Sequence, residues 1–140
     1  MKTHVEFRSA AFPPYEGEED DIDPGLYGKR LAEFLVRGLN AQGFHAYEPI
    51  AEDWGWVIPI QSEGFRLWIG CGNYQEYDDG FLCFIEPHQP TIRKFLFFGR
   101  INTAPRVTAL QQAIDQVLSA EPSITNKRWW SFEEFTRPGK

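Results

Sequence analysis

Three observations predict an α+β fold: a mostly antiparallel sheet of five or six strands with two long helices packed on one face. Two stretches, 24–42 and 104–120, repeat apolar residues at helical spacing. Around and between them lie short runs rich in aromatic and β-branched residues, the composition of strands. The order strand, helix, run of strands, helices lacks the regular alternation of parallel βαβ units.

Residues 4–9 alternate, with Val5 and Phe7 on one side and His4, Glu6 and Arg8 on the other, which predicts a half-buried strand. Phe12-Pro13-Pro14 ends it, because proline has no amide to give a ladder. The acids of 16–23 (Glu16, Glu18, Glu19, Asp20, Asp21 and Asp23) repel one another and predict a solvated, dispensable loop. Asp23-Pro24 has the form of an N-cap and first helical residue. Leu31, Phe34, Leu35, Gly38 and Leu39 then make a helical stripe, closed by Gly43.

Strands are predicted at 44–50, 54–61, 65–71 and 81–86, with a tight hairpin at 62–64, a longer connection over 72–80, and Pro59 marking an edge or a bulge. Ile92, Phe95 and Leu96 predict a short helix over 92–98, ended by Gly99. Thr103 is placed as the N-cap of the second long helix, whose stripe is Val107, Leu110, Ile114, Val117 and Leu118. A last strand at 124–132 and a fraying tail at 136–140 complete a single domain, 1–140.

Composition sets the class. With 42% hydrophobic residues the chain has enough apolar surface to form one core without staples. A net charge of −6 and no basic stripe argue against nucleic acid. No run is long enough to span a membrane, and the N-terminus lacks the apolar core of a signal peptide, so the expected location is cytoplasmic. Cys71 and Cys83 fall on neighbouring strands and read as buried free thiols rather than a disulfide framework.

Glu52-Asp53-Trp54-Gly55-Trp56, then Trp68-Ile69-Gly70-Cys71-Gly72, Phe98-Gly99-Arg100 and Lys127-Arg128-Trp129, resemble a family of short, uncharacterised bacterial proteins. The resemblance runs from about Pro24 to Trp130, and its distinctive part is Asp-Trp-Gly-Trp. It implies a compact fold and supplies no catalytic residues.

Few residues are candidates for chemistry. Glu52 and Asp53 sit beside Trp54 and Trp56, and a carboxyl desolvated by an indole can serve as a general acid. The plainer reading makes Asp53 a backbone-bonding residue at a strand start. His88 with Glu86, Asp78 and Asp79 lacks any metal-binding spacing, so neither metal nor cofactor is expected, and His4 and His45 read as exposed strand residues. Gly25 and Gly28 open the first helix, but the acids before them would repel a phosphate.

Alternation along 65–71 and 81–86 puts Phe65, Leu67, Ile69, Cys71, Phe81, Cys83 and Ile85 on one face of the sheet. It puts Trp68, Leu82 and Phe84 on the other. Two helices cover one face only. The other must be closed by 92–98 and the tail around Trp129 and Trp130, or by another chain. The favoured function is therefore a non-catalytic protein-binding domain of inhibitor, immunity or adaptor type, or a homodimer, with Trp54, Trp56, Trp68, Leu82 and Phe84 as its contact residues. The alternative is a small hydrolase or transferase using Glu52 or Asp53.

Overall fold

The computed structural model describes residues 1–74, 77–94 and 99–138. Strand β1 (Lys2–Arg8) leads through a single 3₁₀ turn (Glu18–Asp20) to helix α1 (Lys29–Ala41). Strands β2 (Ile50–Glu52), β3 (Gly55–Ile60), β4 (Leu67–Asn73) and β5 (Gly80–Glu86) follow as a meander. A small hairpin, β6 (Thr91–Arg93) and β7 (Arg100–Asn102), precedes helix α2 (Ala104–Ser119), strand β8 (Thr125–Ser131) and the short helix α3 (Phe132–Thr136). The main sheet has the order β2-β3-β4-β5-β1-β8, and every pairing in it is antiparallel.

The two long helices lie on one face, as their stripes predict, and the core forms between them. Leu31, Leu35 and Leu39 of α1 and Leu110, Ile114 and Leu118 of α2 are fully buried. Across the sheet their partners are Val5, Ile58, Ile69, Cys71, Cys83 and Ile85. The helices approach closely because Gly38 of α1 faces Val117 of α2: a Cβ at Gly38 would stand 2.7 Å from Val117 Cγ1. Helix α1 ends in a Schellman turn, with Phe44 N–H donating to Leu39 O and Gly43 N–H to Asn40 O, and Gly43 takes φ +92°.

Several local expectations are corrected. Helix α1 starts at Lys29, not at Pro24, because Gly25 is left-handed (φ +82°) and Asp23 to Leu26 is a turn closed by Leu26 N–H to Asp23 O. Strand 44–50 reduces to a bridge between Ala46 and Ile60, and the ladder resumes only at Ile50. Pro59 O accepts from Tyr47 N–H beside that bridge, so the donor that proline lacks falls in the gap before β2. Residues 91–93 are strand rather than helix, and the rest of that predicted helix, 95–98, lies outside the described residues. Thr103 does not cap α2 with its side chain: its hydroxyl donates to Gln89 O and its N–H to Pro90 O, which ties the helix start to the hairpin.

The largest correction concerns the acidic stretch 16–23. Glu16, Glu19, Asp20, Asp21 and Asp23 are exposed, but Glu18 is 4% exposed and Ile22 6%. Glu18 Oε2 accepts from Gly28 N–H (2.8 Å), Lys29 N–H (3.0 Å) and the Trp56 indole (2.9 Å), and Oε1 accepts from Tyr15 N–H (3.0 Å). A carboxylate placed there satisfies orphan amides at the start of α1 and complements the helix dipole. The chain thus fills its own helix N-terminus with its own anion.

Candidate functional site

The face opposite the long helices is set by register. Ile50, Val57, Gly70, Phe84, His4 and Trp130 stand side by side across the six strands. Beside this row run Pro59, Trp68 and Glu86 on one flank, and Gly72, Leu82, Glu6 and Arg128 on the other. Because Gly70 has no side chain, neighbouring rings close over it. A Cβ there would meet Phe84 Cζ at 2.4 Å and Trp54 Cη2 at 2.8 Å. Trp54, Trp68 and Phe84 form one cluster with ring centroids 5.4–6.3 Å apart.

Half of this face is closed by the chain itself. Ser131 and Glu134 form a capping box: Ser131 Oγ accepts from Glu134 N–H (3.1 Å) and Glu134 Oε1 from Ser131 N–H (2.8 Å). Helix α3 so anchored lays Phe132 and Phe135 on His4, with centroids 5.9 and 4.7 Å away, while Phe84 stacks on the same imidazole at 5.5 Å. His4 is buried, not the exposed residue that strand alternation predicts, because the tail covers it. His88 stacks on Phe132 at 3.8 Å and contacts Glu86 at 3.0 Å. The two terminal tryptophans divide: Trp130 lies on this face and donates to Glu6, whereas Trp129 lies on the helix side and donates to Asp115 of α2.

The other half, over β3 and β4, is only partly covered among the described residues, although Val57 within it is buried. Trp54 is 41% exposed and Ile50 50%, with Trp68, Leu82 and Phe84 half-buried beside them. Of the predicted contact residues the structure brings Trp54, Trp68 and Phe84 into mutual contact and sets Leu82 on the same face. Trp56 does not belong: it points to the helix side, is 3% exposed and is tied to Glu18. Gly55, between the two indoles, is needed for space, since a Cβ there would stand 2.5 Å from Cys71 O.

Glu52 and Asp53 lie exposed at the turn from β2 to β3, where Asp53 O accepts from Asp23 N–H. The burial that would suit either to general acid work is missing. Cys71 and Cys83 are buried cross-strand neighbours, and their thiols share a hydrogen bond at 3.7 Å. That bond and full burial push the Cys71 thiol well above its ordinary pKa. Among the described residues no three His, Cys, Asp or Glu side chains converge as metal ligands, and no helix is long and apolar enough to cross a membrane.

Sequence reasoning missed the roles of Gly70, His4, Phe132 and Phe135. The pattern Ser131-Phe132-Glu133-Glu134 is a capping-box signature and marks α3; nothing local marks His4 as its target. No protein-family model, curated protein or solved structure matches the chain.

Proposed function

We propose that this chain is a non-catalytic protein-binding domain, of the inhibitor, immunity or adaptor kind, that holds its partner on the open half of the sheet. One observation carries the reading: Trp54, Trp68 and Phe84 form a contiguous aromatic cluster on a rigid sheet, left partly exposed beside Ile50 while α3 closes the other half. Large aromatics on a rigid support are the residues that anchor interfaces, because they bury much area and lose little side-chain entropy. The exposed setting of Glu52 and Asp53 gives no support to the hydrolase or transferase alternative. A cytoplasmic setting suits the two adjacent thiols that remain unbonded. In Asp53-Trp54-Gly55-Trp56 one indole locks the core and the other faces outward, which suits a motif that both holds the fold and presents a contact residue.

The test is affinity capture from the native host with the wild-type chain and with Trp68→Arg, each verified as folded by circular dichroism. A partner held stoichiometrically by the wild type and lost by the variant is the expected result. Equal capture by both means that binding, if any, uses another surface.

A further inference from the structure

Trp54 differs from the other tryptophans in what surrounds it. Trp56 has Lys29 Nζ 5.3 Å from its ring and donates to Glu18. Trp68 lies under Arg66 at 5.9 Å, and Trp130 lies under Arg128 at 3.8 Å while donating to Glu6. Trp129 donates to Asp115, which pairs with Lys127 at 2.6 Å. Among the described residues Trp54 alone of the five has no cation over its ring and no acceptor for its indole N–H. It is also the most exposed of them, at 41%.

Two carboxylates precede it in sequence, and neither Glu52 nor Asp53 has an ion-pair partner among the described residues. Alternation in β2 points Ala51 into the core beside Trp56, so Glu52 projects on the same side of the sheet as the Trp54 cluster. An indole face attracts a cation through its quadrupole, and a carboxylate beside it adds a direct charge attraction. Three of the other tryptophans already carry that cation from within the chain.

We infer that Trp54, with Glu52 and Asp53, receives an arginine or lysine side chain presented by the partner protein. The inference rests on the open half-face being a docking surface and adds the chemistry of what docks there. A second copy of this chain is the poorer occupant. Each copy carries −6, so two copies repel one another on average, and that repulsion works against a self-contact through an acid-edged face.

The probe is a capped hexa-arginine peptide, titrated at low ionic strength into the intact ¹⁵N-labelled protein, with capped hexa-glutamate as control. The Trp54 indole N–H signal is identified by its loss in Trp54→Phe. The expected result is a saturable shift of that signal, absent with hexa-glutamate. Binding should weaken about fivefold or more in Trp54→Ala and in the surface variant Glu52→Gln/Asp53→Asn, which leaves the core untouched. An unmoved Trp54 signal, or an affinity undiminished from the wild type in both variants, overturns the inference and places the polycation elsewhere, such as the exposed acids of 16–23. A wild-type dimer that Trp54→Ala converts to a folded monomer, read by light scattering, overturns it in favour of a second copy. Partner capture separates this inference from the reading beneath it: capture lost in Trp68→Arg but kept in Glu52→Gln/Asp53→Asn removes the cationic contact and leaves the docking face, whereas capture kept in both removes both.

Discussion

Glu18 joins three parts of the molecule: the loop after β1 through Tyr15, the start of α1 through Gly28 and Lys29, and β3 through Trp56. Removing its carboxylate leaves buried donors unpaired, so Glu18→Ala should cost about 2–3 kcal/mol in a denaturant titration, while Glu19→Ala stays within about 0.5 kcal/mol. A Glu18 loss as small as that of Glu19 would return the stretch to the solvated loop that its composition implies. The sequence could not single out position 18, because its acids look alike and the one that swings inward is the one that follows the left-handed Gly17 (φ +81°) and meets Trp56 of a distant strand. The buried thiols behave in the opposite way, since alternation alone placed them in the core. With the Cys71 pKa raised, the thiol stays protonated through the mildly alkaline range, and a thiolate is the reactive form. Cys71, protonated and buried, and Cys83, shielded by burial alone, should both resist a thiol reagent at pH 8 in the native protein and react in denaturant. Fast native labelling of either would show that β4 and β5 open.

At the scale of elements, the long helices were legible because a buried stripe repeats every three to four residues whatever it packs on. Helix α3, with five residues, has too little stripe to read and depends on its capping box and on His4 for its position. The α1–α2 contact is decided by Gly38. Alanine is the better helix former by about 1 kcal/mol, yet the added methyl would press on both γ-carbons of Val117, at 2.7 and 2.8 Å. Overpacking of a stiff, β-branched neighbour outweighs propensity, so Gly38→Ala should be net destabilising by about 1–2 kcal/mol; a stabilised variant would mean that the helices slide apart freely. The last strand and α3 are held by depressed carboxyls. The Lys2 ammonium and the Ser131 backbone amide hold Glu134 at about 2, and burial of Asp115, which pushes its pKa up, is outweighed by hydrogen bonds from Lys127 and Trp129. A carboxyl depressed in the folded state stabilises it above the unfolded pKa, about 4, and loses that contribution as pH falls through the folded value. The contacts of α3 should thus weaken between about pH 4 and 2, and in Lys2→Ala the Glu134 carboxyl, followed by carbon NMR, should titrate nearer its ordinary value of about 4.3.

Across the whole molecule the two faces of the sheet are built differently, and this was only half legible. Alternation assigns Leu67, Ile69, Phe81 and Ile85 to one side and Trp68, Leu82 and Phe84 to the other, as the register has it. What covers the second side depends on where the tail returns, and that is a tertiary outcome: α3 reaches His4 because β8 pairs with β1, a partner more than a hundred residues away in sequence. No local pattern encodes that pairing. The helix side is closed by α1 and α2, so a truncation there leaves a cavity that its neighbours cannot fill. Leu35, with no exposed surface, should lose about 2–5 kcal/mol on Leu35→Ala. The open side is different, because Trp68 rests against Trp54 and Phe84 with Arg66 over its ring and is still partly exposed to solvent. Trp68→Ala uncovers surface that water already reaches in part, so it should cost well under the ~3–5 kcal/mol of a core tryptophan. Paired denaturant titrations of Leu35→Ala and Trp68→Ala measure this asymmetry. If Trp68→Ala proves as costly as Leu35→Ala, the cluster over Gly70 is a second core and the open half-face is not free to hold a partner; a small loss with the fold intact leaves that face available for binding.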